Sequence, residues 1–149
     1  MNRQFAFERE LYTTLSCLPL AARYKLDAIG IKISIKQWLA LEMKERRAIC
    51  EMPADSDEEQ RLMFEVVCRL ISQRCGEQPT LLSDEQRASA FQIAQLSEAI
   101  ARQAGSLGYE LDAERWKTLD EEQRYALIKF AGDDRRRAKF AAALKEFLG

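Results

Sequence analysis

The feature that most constrains the fold is a stretch of sequence that occurs twice. Residues 30–46 read GIKISIKQWLALEMKER, and residues 108–124 read GYELDAERWKTLDEEQR. An offset of 78 residues aligns them without a gap. Four aligned positions are identical: Gly30 and Gly108, Trp38 and Trp116, Leu41 and Leu119, and Arg46 and Arg124. The chain has only 2 tryptophans, and both occupy the same position of the repeat. An internal duplication of a helical unit is therefore predicted.

Apolar residues at helical spacing fill most of the chain and predict the fold class. We expect an all-α, single-domain helical bundle over residues 1–149, built from two pseudo-symmetric helical repeats. Its predicted parts are repeat one at about 19–76, a surface connector at about 77–85, and repeat two at about 86–149. Each repeat has one incomplete apolar face, so the two faces are expected to close a single core.

Breakers and caps set the expected helix boundaries. A helical pattern over residues 5–17 is interrupted at Pro19, where a new helix begins that ends at Gly30. After the connector, one long helix is expected from residue 83 to about Leu107. The segment IKISI at residues 31–35 alternates like a strand, but it is too short to found a sheet.

Each tryptophan lies in a predicted short helix that begins at a capping residue, Ser34 or Asp112. Because so short a helix is not stable alone, a large buried ring would hold it in place. The alternative is an exposed ring that stacks on a ligand, but symmetric placement favours the core. Arg46 and Arg124 are expected to pair with acidic residues of a neighbouring helix, with anion binding as the alternative.

Composition excludes several classes of protein. A net charge of −1 gives no global field for binding nucleic acid or an anionic membrane. No apolar run approaches the 18 or so residues of a membrane span, and glutamates interrupt the N-terminal stretch where a signal peptide would be apolar. The sequence therefore predicts a cytoplasmic protein without a membrane or nucleic-acid partner.

Cysteine and histidine usage narrows the chemistry. The chain has no histidine, which excludes mechanisms that need a histidine base. Its four cysteines (Cys17, Cys50, Cys68 and Cys75) form no C-x-x-C pair, and a buried structural role is favoured over a ligand or nucleophile. We therefore predict no metal, no cofactor and no catalytic residue.

The chain opens with FAFERELYTTLSCLPLAARYKLDAIGIKISIKQW at residues 5–38. This opening resembles that of the nitrate reductase-associated proteins, a family of small bacterial proteins, and the run RYKLD followed by GIKI is its most specific part. RWKTLDEEQRYALIKF and ALKEF are similar further along, so the resemblance covers nearly the whole chain. It implies a genomic context beside nitrate reductase and molybdopterin-synthesis genes, but it supplies no activity and no catalytic residues.

Two classes of function stay open. The first, which the resemblance favours, is a non-catalytic accessory protein of nitrate assimilation that binds a nitrate reductase or a component of the molybdenum-cofactor pathway. The second is a small anion or cofactor-binding sensor, or an uncharacterised enzyme, that uses a cationic cluster. The candidate partner or anion contacts are Arg23, Lys25, Asp27 and Lys32, for which a solvated helix face is the simpler interpretation. The sequence does not indicate an oligomeric state.

Overall fold

A computed structural model describes residues 3–149 and confirms that the chain is mostly helical. In those residues there are ten α-helices and two short 3-10 helices, at Ala6–Glu8 and Asp134–Arg136. The α-helices are α1 (Leu11–Thr14), α2 (Leu20–Ile29), α3 (Ile35–Ala40), α4 (Met43–Glu51), α5 (Asp57–Cys75), α6 (Asp84–Ala90), α7 (Glu98–Ser106), α8 (Ala113–Thr118), α9 (Glu121–Ala131) and α10 (Arg137–Leu148). None of the helices within this range is both long and apolar enough to cross a membrane.

A small sheet corrects the strictly all-α expectation. Strand β1 (Ile31–Lys32) pairs antiparallel with strand β2 (Thr80–Leu81), with Ile31 opposite Leu81. β1 lies inside the IKISI segment, whose alternation was dismissed as too short. Its partner comes from the predicted surface connector, where the sequence alone gave no strand signal. The strands join the residue after α2 to the segment that follows α5.

The chain divides into two compact units, one ending at Ala88 and the other comprising Ser89–Gly149. In the first unit, α2 packs against α4 and α5, and α3 also packs against α5. The buried side chains there include Leu26, Trp38 and Val67. In the second unit, α9 packs against α7 and α10. The single-domain expectation remains a prediction.

Helix caps follow the sequence closely. Ser34 accepts a hydrogen bond from the Gln37 backbone N–H at 3.1 Å, and the Gln37 side-chain oxygen accepts one from the Ser34 N–H at 3.0 Å. Asp112 caps α8 in the corresponding place by accepting from the Arg115 N–H at 2.8 Å. Gly30 ends α2 with φ at +80°, which favours glycine. Both predicted starts of the tryptophan helices are therefore confirmed.

Both tryptophans are core residues, as predicted. Trp38 is 0% exposed and Trp116 is 1% exposed. The Trp38 indole N–H donates to the Leu15 carbonyl at 2.7 Å, and the Trp116 indole N–H donates to the Ile93 carbonyl at 3.0 Å. In each case the acceptor lies 23 residues before the ring. The ring and its hydrogen bond together fix the position of each short helix.

These acceptors explain why two expected helices are shorter than predicted. The helical pattern over residues 5–17 yields only a 3-10 turn and α1, which ends where Leu15 takes φ of +48°. The long helix expected from residue 83 to Leu107 is also wrong, because the chain leaves helical conformation after Ala90 and resumes it at Glu98. A carbonyl inside a helix is bonded to its own fourth neighbour. Interrupting the helix therefore makes the Ile93 carbonyl available to the indole.

The two repeated arginines donate hydrogen bonds to backbone carbonyls. Arg46 Nε donates to the Trp38 carbonyl at 3.0 Å, and its Nη2 donates to the Leu39 carbonyl at 2.8 Å. Arg124 donates in the same way to the Trp116 carbonyl at 3.0 Å and to the next carbonyl at 3.2 Å. The expected pairing with acidic residues is therefore wrong. Each guanidinium instead adds a donor at the last carbonyls of a tryptophan helix, of which the Trp38 and Trp116 carbonyls also accept from the Leu41 and Leu119 N–H groups at 3.2 Å.

Candidate functional site

The first unit buries a lysine where α2 meets the end of α4. Lys25 is 1% exposed, and its ammonium donates to the backbone carbonyls of Cys50 and Met52, the second at 2.8 Å. These carbonyls lie at the C-terminus of α4, where the helix dipole is negative and Pro53 prevents the helix from continuing. Burial lowers the pKa of Lys25 to about 8, although neighbouring negative groups act in the opposite direction. The lysine thus serves as an internal cap of α4.

A buried glutamate caps the start of α2. Both carboxylate oxygens of Glu8 accept hydrogen bonds from the Leu20 N–H, at 3.3 and 3.1 Å. Leu20 is the first residue of α2, and Pro19 before it has no N–H to offer. A carboxylate at this position also interacts favourably with the positive end of the helix dipole. Glu8 therefore stabilises the start of the helix that positions Lys25.

Tyr12 and Cys50 lie near Lys25 and Glu8, and we call these four residues the polar group around Lys25. Within residues 3–149, the Tyr12 hydroxyl is the one buried side-chain polar atom that lacks a hydrogen-bond partner. Burial raises the pKa of Tyr12 above its usual range, and Cys50 and Glu8 add to the effect. Burial also raises the pKa of the Cys50 thiol to about 11, although Lys25 opposes it. Both groups are therefore neutral near pH 7, so Cys50 is not an activated nucleophile.

A small cavity lies beside this group. Its volume is about 90 Å³, and its lining residues are Gln4, Tyr12, Leu15, Arg47, Cys50 and Glu51. Arg47 and Glu51 are exposed, whereas Leu15 and Cys50 are buried. The lining therefore combines hydrogen-bond donors, one charge of each sign and an apolar wall. Such a site suits water or a small polar molecule better than a large organic cofactor.

The four candidate contact residues do not form one solvent-facing cationic face. Arg23 is half-buried on α2, and its Nε donates to the Leu18 carbonyl at 3.4 Å. Asp27 is also half-buried and follows Arg23 by one helical turn, while Lys32 is exposed on β1. The surface interpretation of Lys25 is wrong, because that side chain is inside the unit. The anion-contact role of the set remains a prediction.

Glu8 and Tyr12 were not among the residues singled out from the sequence. Each lies in an N-terminal stretch that looks like an ordinary amphipathic helix. The available signal was Pro19, since a helix starting there needs an acceptor for the first free N–H groups. Two acidic residues precede Pro19, and only the fold shows that Glu8 is the one whose carboxylate accepts from the Leu20 N–H.

The cysteines do not assemble into a ligand set. Cys50 is buried, whereas Cys17, Cys68 and Cys75 are half-buried, and all four are free thiols. In the part of the chain that is described, no cluster of three or more Cys, Asp or Glu side chains is placed to hold a metal ion.

Comparisons with known proteins give one positive result. Neither the curated proteins nor the solved structures contain a match to this chain. The family model described as conserved nitrate reductase-associated protein matches residues 4–147. That range includes both tryptophan helices and the whole polar group around Lys25. The chain therefore belongs to the family of conserved nitrate reductase-associated proteins.

Proposed function

We propose that this protein is a cytoplasmic, non-catalytic accessory protein of nitrate assimilation that binds a nitrate reductase or a component of the molybdenum-cofactor pathway. The observation that carries the proposal is the family match over residues 4–147, whose description links these proteins to nitrate reductase. The candidate site supports a non-catalytic role, because Lys25 and Glu8 are engaged with backbone groups. A protein of this kind acts through its surface.

One exposed side chain is a favourable contact for the partner. Leu62 on α5 is 58% exposed, whereas Phe140, 78 residues later, is 0% exposed. An apolar residue is thus buried at this position in the second unit and left uncovered in the first. Covering Leu62 with a partner would remove that apolar surface from water. The proposal assigns this part of α5 to the partner interface.

The test is capture of partners from nitrate-grown cells, followed by mass spectrometry. Wild-type protein is expected to retain a nitrate reductase subunit or a molybdenum-cofactor protein that is not retained from ammonium-grown cells. Leu62→Ser is expected to reduce that capture, and Leu81→Ser is the matched control because Leu81 is 59% exposed on β2. Absence of any such protein from the wild-type eluate would contradict the accessory role. Equal loss with both variants would contradict the assignment to α5.

A second candidate is the small-anion or cofactor-binding sensor, and the size of the cavity beside Tyr12 favours its small-anion form. Gln4, Tyr12 and Arg47 place an amide, a hydroxyl and a guanidinium around about 90 Å³. The test is thermal unfolding with and without nitrate, nitrite, molybdate or molybdopterin. A ligand at 100 times its dissociation constant stabilises the folded state by about 2.7 kcal/mol. A shift that Tyr12→Phe or Arg47→Gln removes would favour this candidate over the first.

We also propose that the chain arose by internal duplication and that its two units are pseudo-symmetric copies. Support comes from hydrogen bonds that recur 78 residues apart: the capped start of each tryptophan helix, the indole to a carbonyl 23 residues earlier, and the arginine to the end of the helix. The test is a chimera in which residues 35–40 are replaced by the sequence of 113–118. If the copies are equivalent, the chimera folds cooperatively with a modest loss of stability. A chimera that cannot fold would contradict equivalence.

A further inference from the structure

Two large apolar side chains of α3 are exposed among lysines. Ile35 is 51% exposed and Leu39 is 48% exposed, and their spacing of one helical turn places them on the same side of the helix. Lys32 and Lys36 are both exposed along the same stretch. We call these four residues the α3 face. It presents an apolar pair flanked by positive charge.

The corresponding stretch of α8 has glutamates in place of the two lysines and a lysine, Lys117, in place of Leu39. Glu110 and Glu114 are exposed, and they lie 78 residues after Lys32 and Lys36, respectively. Ala113 takes the place that Ile35 has on α3, so this surface lacks the protruding apolar side chain. The inversion of charge is a property of the sequence itself and holds whether or not the units arose by duplication.

A groove lies entirely within the second unit and is lined in part by Ala113, which precedes Glu114 in the sequence. Its volume is about 400 Å³, and its lining residues are Ala94, Gln95, Leu96, Ala113, Trp116 and Lys117. Four of the six are apolar, and the alanines leave room at the surface. Its size falls within the range of pockets that proteins use to hold small organic ligands. We call the groove together with Glu110 and Glu114 the α8 face.

We propose that the α3 face of one molecule binds the α8 face of a second copy of this chain. Ile35 and Leu39 would enter the groove, while Lys32 and Lys36 would lie against Glu110 and Glu114. Two apolar side chains supply the buried contact, and the charges determine which surfaces meet. Because the two faces differ, each contact joins one face to the other, either reciprocally within a pair of molecules or from one molecule to the next along a chain.

The size and composition of the contact determine how it should behave. Exposed ion pairs contribute little each and are screened by salt, and a contact of this size is typical of weak association. Self-association should therefore grow with protein concentration and fall as salt is raised. A head-to-tail contact should also be repairable by exchanging the charges of its two sides.

The test is sedimentation of the full chain over a roughly hundredfold concentration range, at about 0.01 M and about 1 M salt. Wild-type protein is expected to increase in mean mass with concentration at low salt only. Lys36→Glu and Glu114→Lys are each expected to abolish the increase, because each juxtaposes like charges. The double variant, and a mixture of the two single variants, are expected to restore it. Arg61→Glu is the control for net charge, since Arg61 is exposed near the start of α5 and belongs to neither face.

Three outcomes would overturn the proposal. One is a wild-type mass that does not change with concentration at low salt. Another is association that survives both single reversals or is not restored by their combination. A third is a monomeric protein whose binding to an acidic partner protein, or to vesicles with anionic lipid, is lost in Lys36→Glu, which would assign the α3 face to that partner instead. Circular dichroism of each variant checks that these exposed substitutions leave the helices intact.

Discussion

Lys25 shows how a single side chain can be essential to a helix end without facing solvent. Its ammonium occupies a site that is closed by the carbonyls of Cys50 and Met52. Burying a charge carries a large desolvation cost, so the arrangement persists only because those carbonyls and the end of the α4 dipole stabilise the ammonium. Removal of the amine would leave one buried and one partly buried acceptor without this donor.

We predict that Lys25→Met lowers the free energy of unfolding by about 1–3 kcal/mol, the range for leaving buried hydrogen-bonding groups unsatisfied. Methionine nearly preserves the length and volume of the side chain, so the loss would reflect the hydrogen bonds and not a cavity. Urea unfolding at pH 7 measures it, with Lys32→Met as the exposed control. Unchanged or increased stability would mean that the desolvation cost of the ammonium exceeds what its partners return.

The Cys50 thiol should make stability depend on alkaline pH. Its ordinary pKa is 9.0, and burial raises the pKa in the folded state to about 11. Above pH 9 the unfolded thiol loses its proton while the folded one retains it, so the unfolded state gains stability. This part of the folded state's stability is complete below pH 9 and is lost as the pH rises through 11.

We therefore predict that wild-type protein loses more stability than Cys50→Ala between pH 8.5 and 10.5, by a difference on the order of 2 kcal/mol. Lys25 acts in the opposite direction. Its pKa is lowered from 10.5 to about 8, so the desolvation cost of the buried ammonium is lost as the amine loses its proton with rising pH. That contribution is present in both proteins, and Cys50→Ala changes it only by removing the charge interaction between Cys50 and Lys25. Parallel pH profiles for the two proteins would show that the thiol ionises normally in the folded state.

The candidate site was only partly accessible from the sequence. Lys25 was recognised as part of a conspicuous cationic run, but its charge led to the expectation of a surface position with Arg23 and Asp27. On a helix, residues two apart point to opposite sides, so Lys25 faces inward while its two neighbours remain partly exposed. Glu8 and Tyr12 reach the site through turns of the N-terminal chain, and no local pattern encodes that path.

At the scale of elements, the tryptophan helices depend on their arginines. α3 and α8 are each 6 residues long, too short to be stable through their own hydrogen bonds. A planar guanidinium reaches two successive carbonyls at the end of each helix, whereas an ammonium on a shorter stem would not match that geometry. The same device therefore completes both helices.

We predict that Arg46→Lys and Arg124→Lys each destabilise the protein by about 1–2 kcal/mol, the range for losing hydrogen bonds from a charged group. The similarity of the two losses is the specific expectation, since the two sets of hydrogen bonds match. Arg47→Lys is the control, because Arg47 is exposed and adjacent to Arg46. Losses that differ several-fold would show that the two helices rely on different supports.

Elements whose limits are set by local chemistry were predictable. Ser34 and Asp112 begin helices because their side chains bind the free N–H groups, and Gly30 ends one because it tolerates positive φ. The interruption after Ala90 was not predictable, because residues 91–97 continue an apolar period that fits a helix. Within that interruption, the Ile93 carbonyl accepts a hydrogen bond from the Trp116 indole, a contact with a residue 23 positions later in the chain.

At the scale of the whole molecule, the open question is whether the two compact units unfold together. The repeat predicts a single core closed by both units, whereas each unit also has its own buried tryptophan. Single-tryptophan variants can distinguish these cases because each leaves one fluorophore. Trp38→Ala retains the reporter in the second unit, and Trp116→Ala retains the reporter in the first.

We predict that each substitution costs roughly 3–5 kcal/mol, the range for emptying a large aromatic site, and that both lower one shared transition. A single domain unfolds cooperatively, so tryptophan fluorescence and far-ultraviolet circular dichroism should then change at the same urea concentration in both variants. Trp38→Phe and Trp116→Phe serve as controls that retain most of the ring volume. If Trp38→Ala leaves the transition reported by Trp116 unmoved, the two units are independent domains, and the prediction that their apolar faces close one core fails.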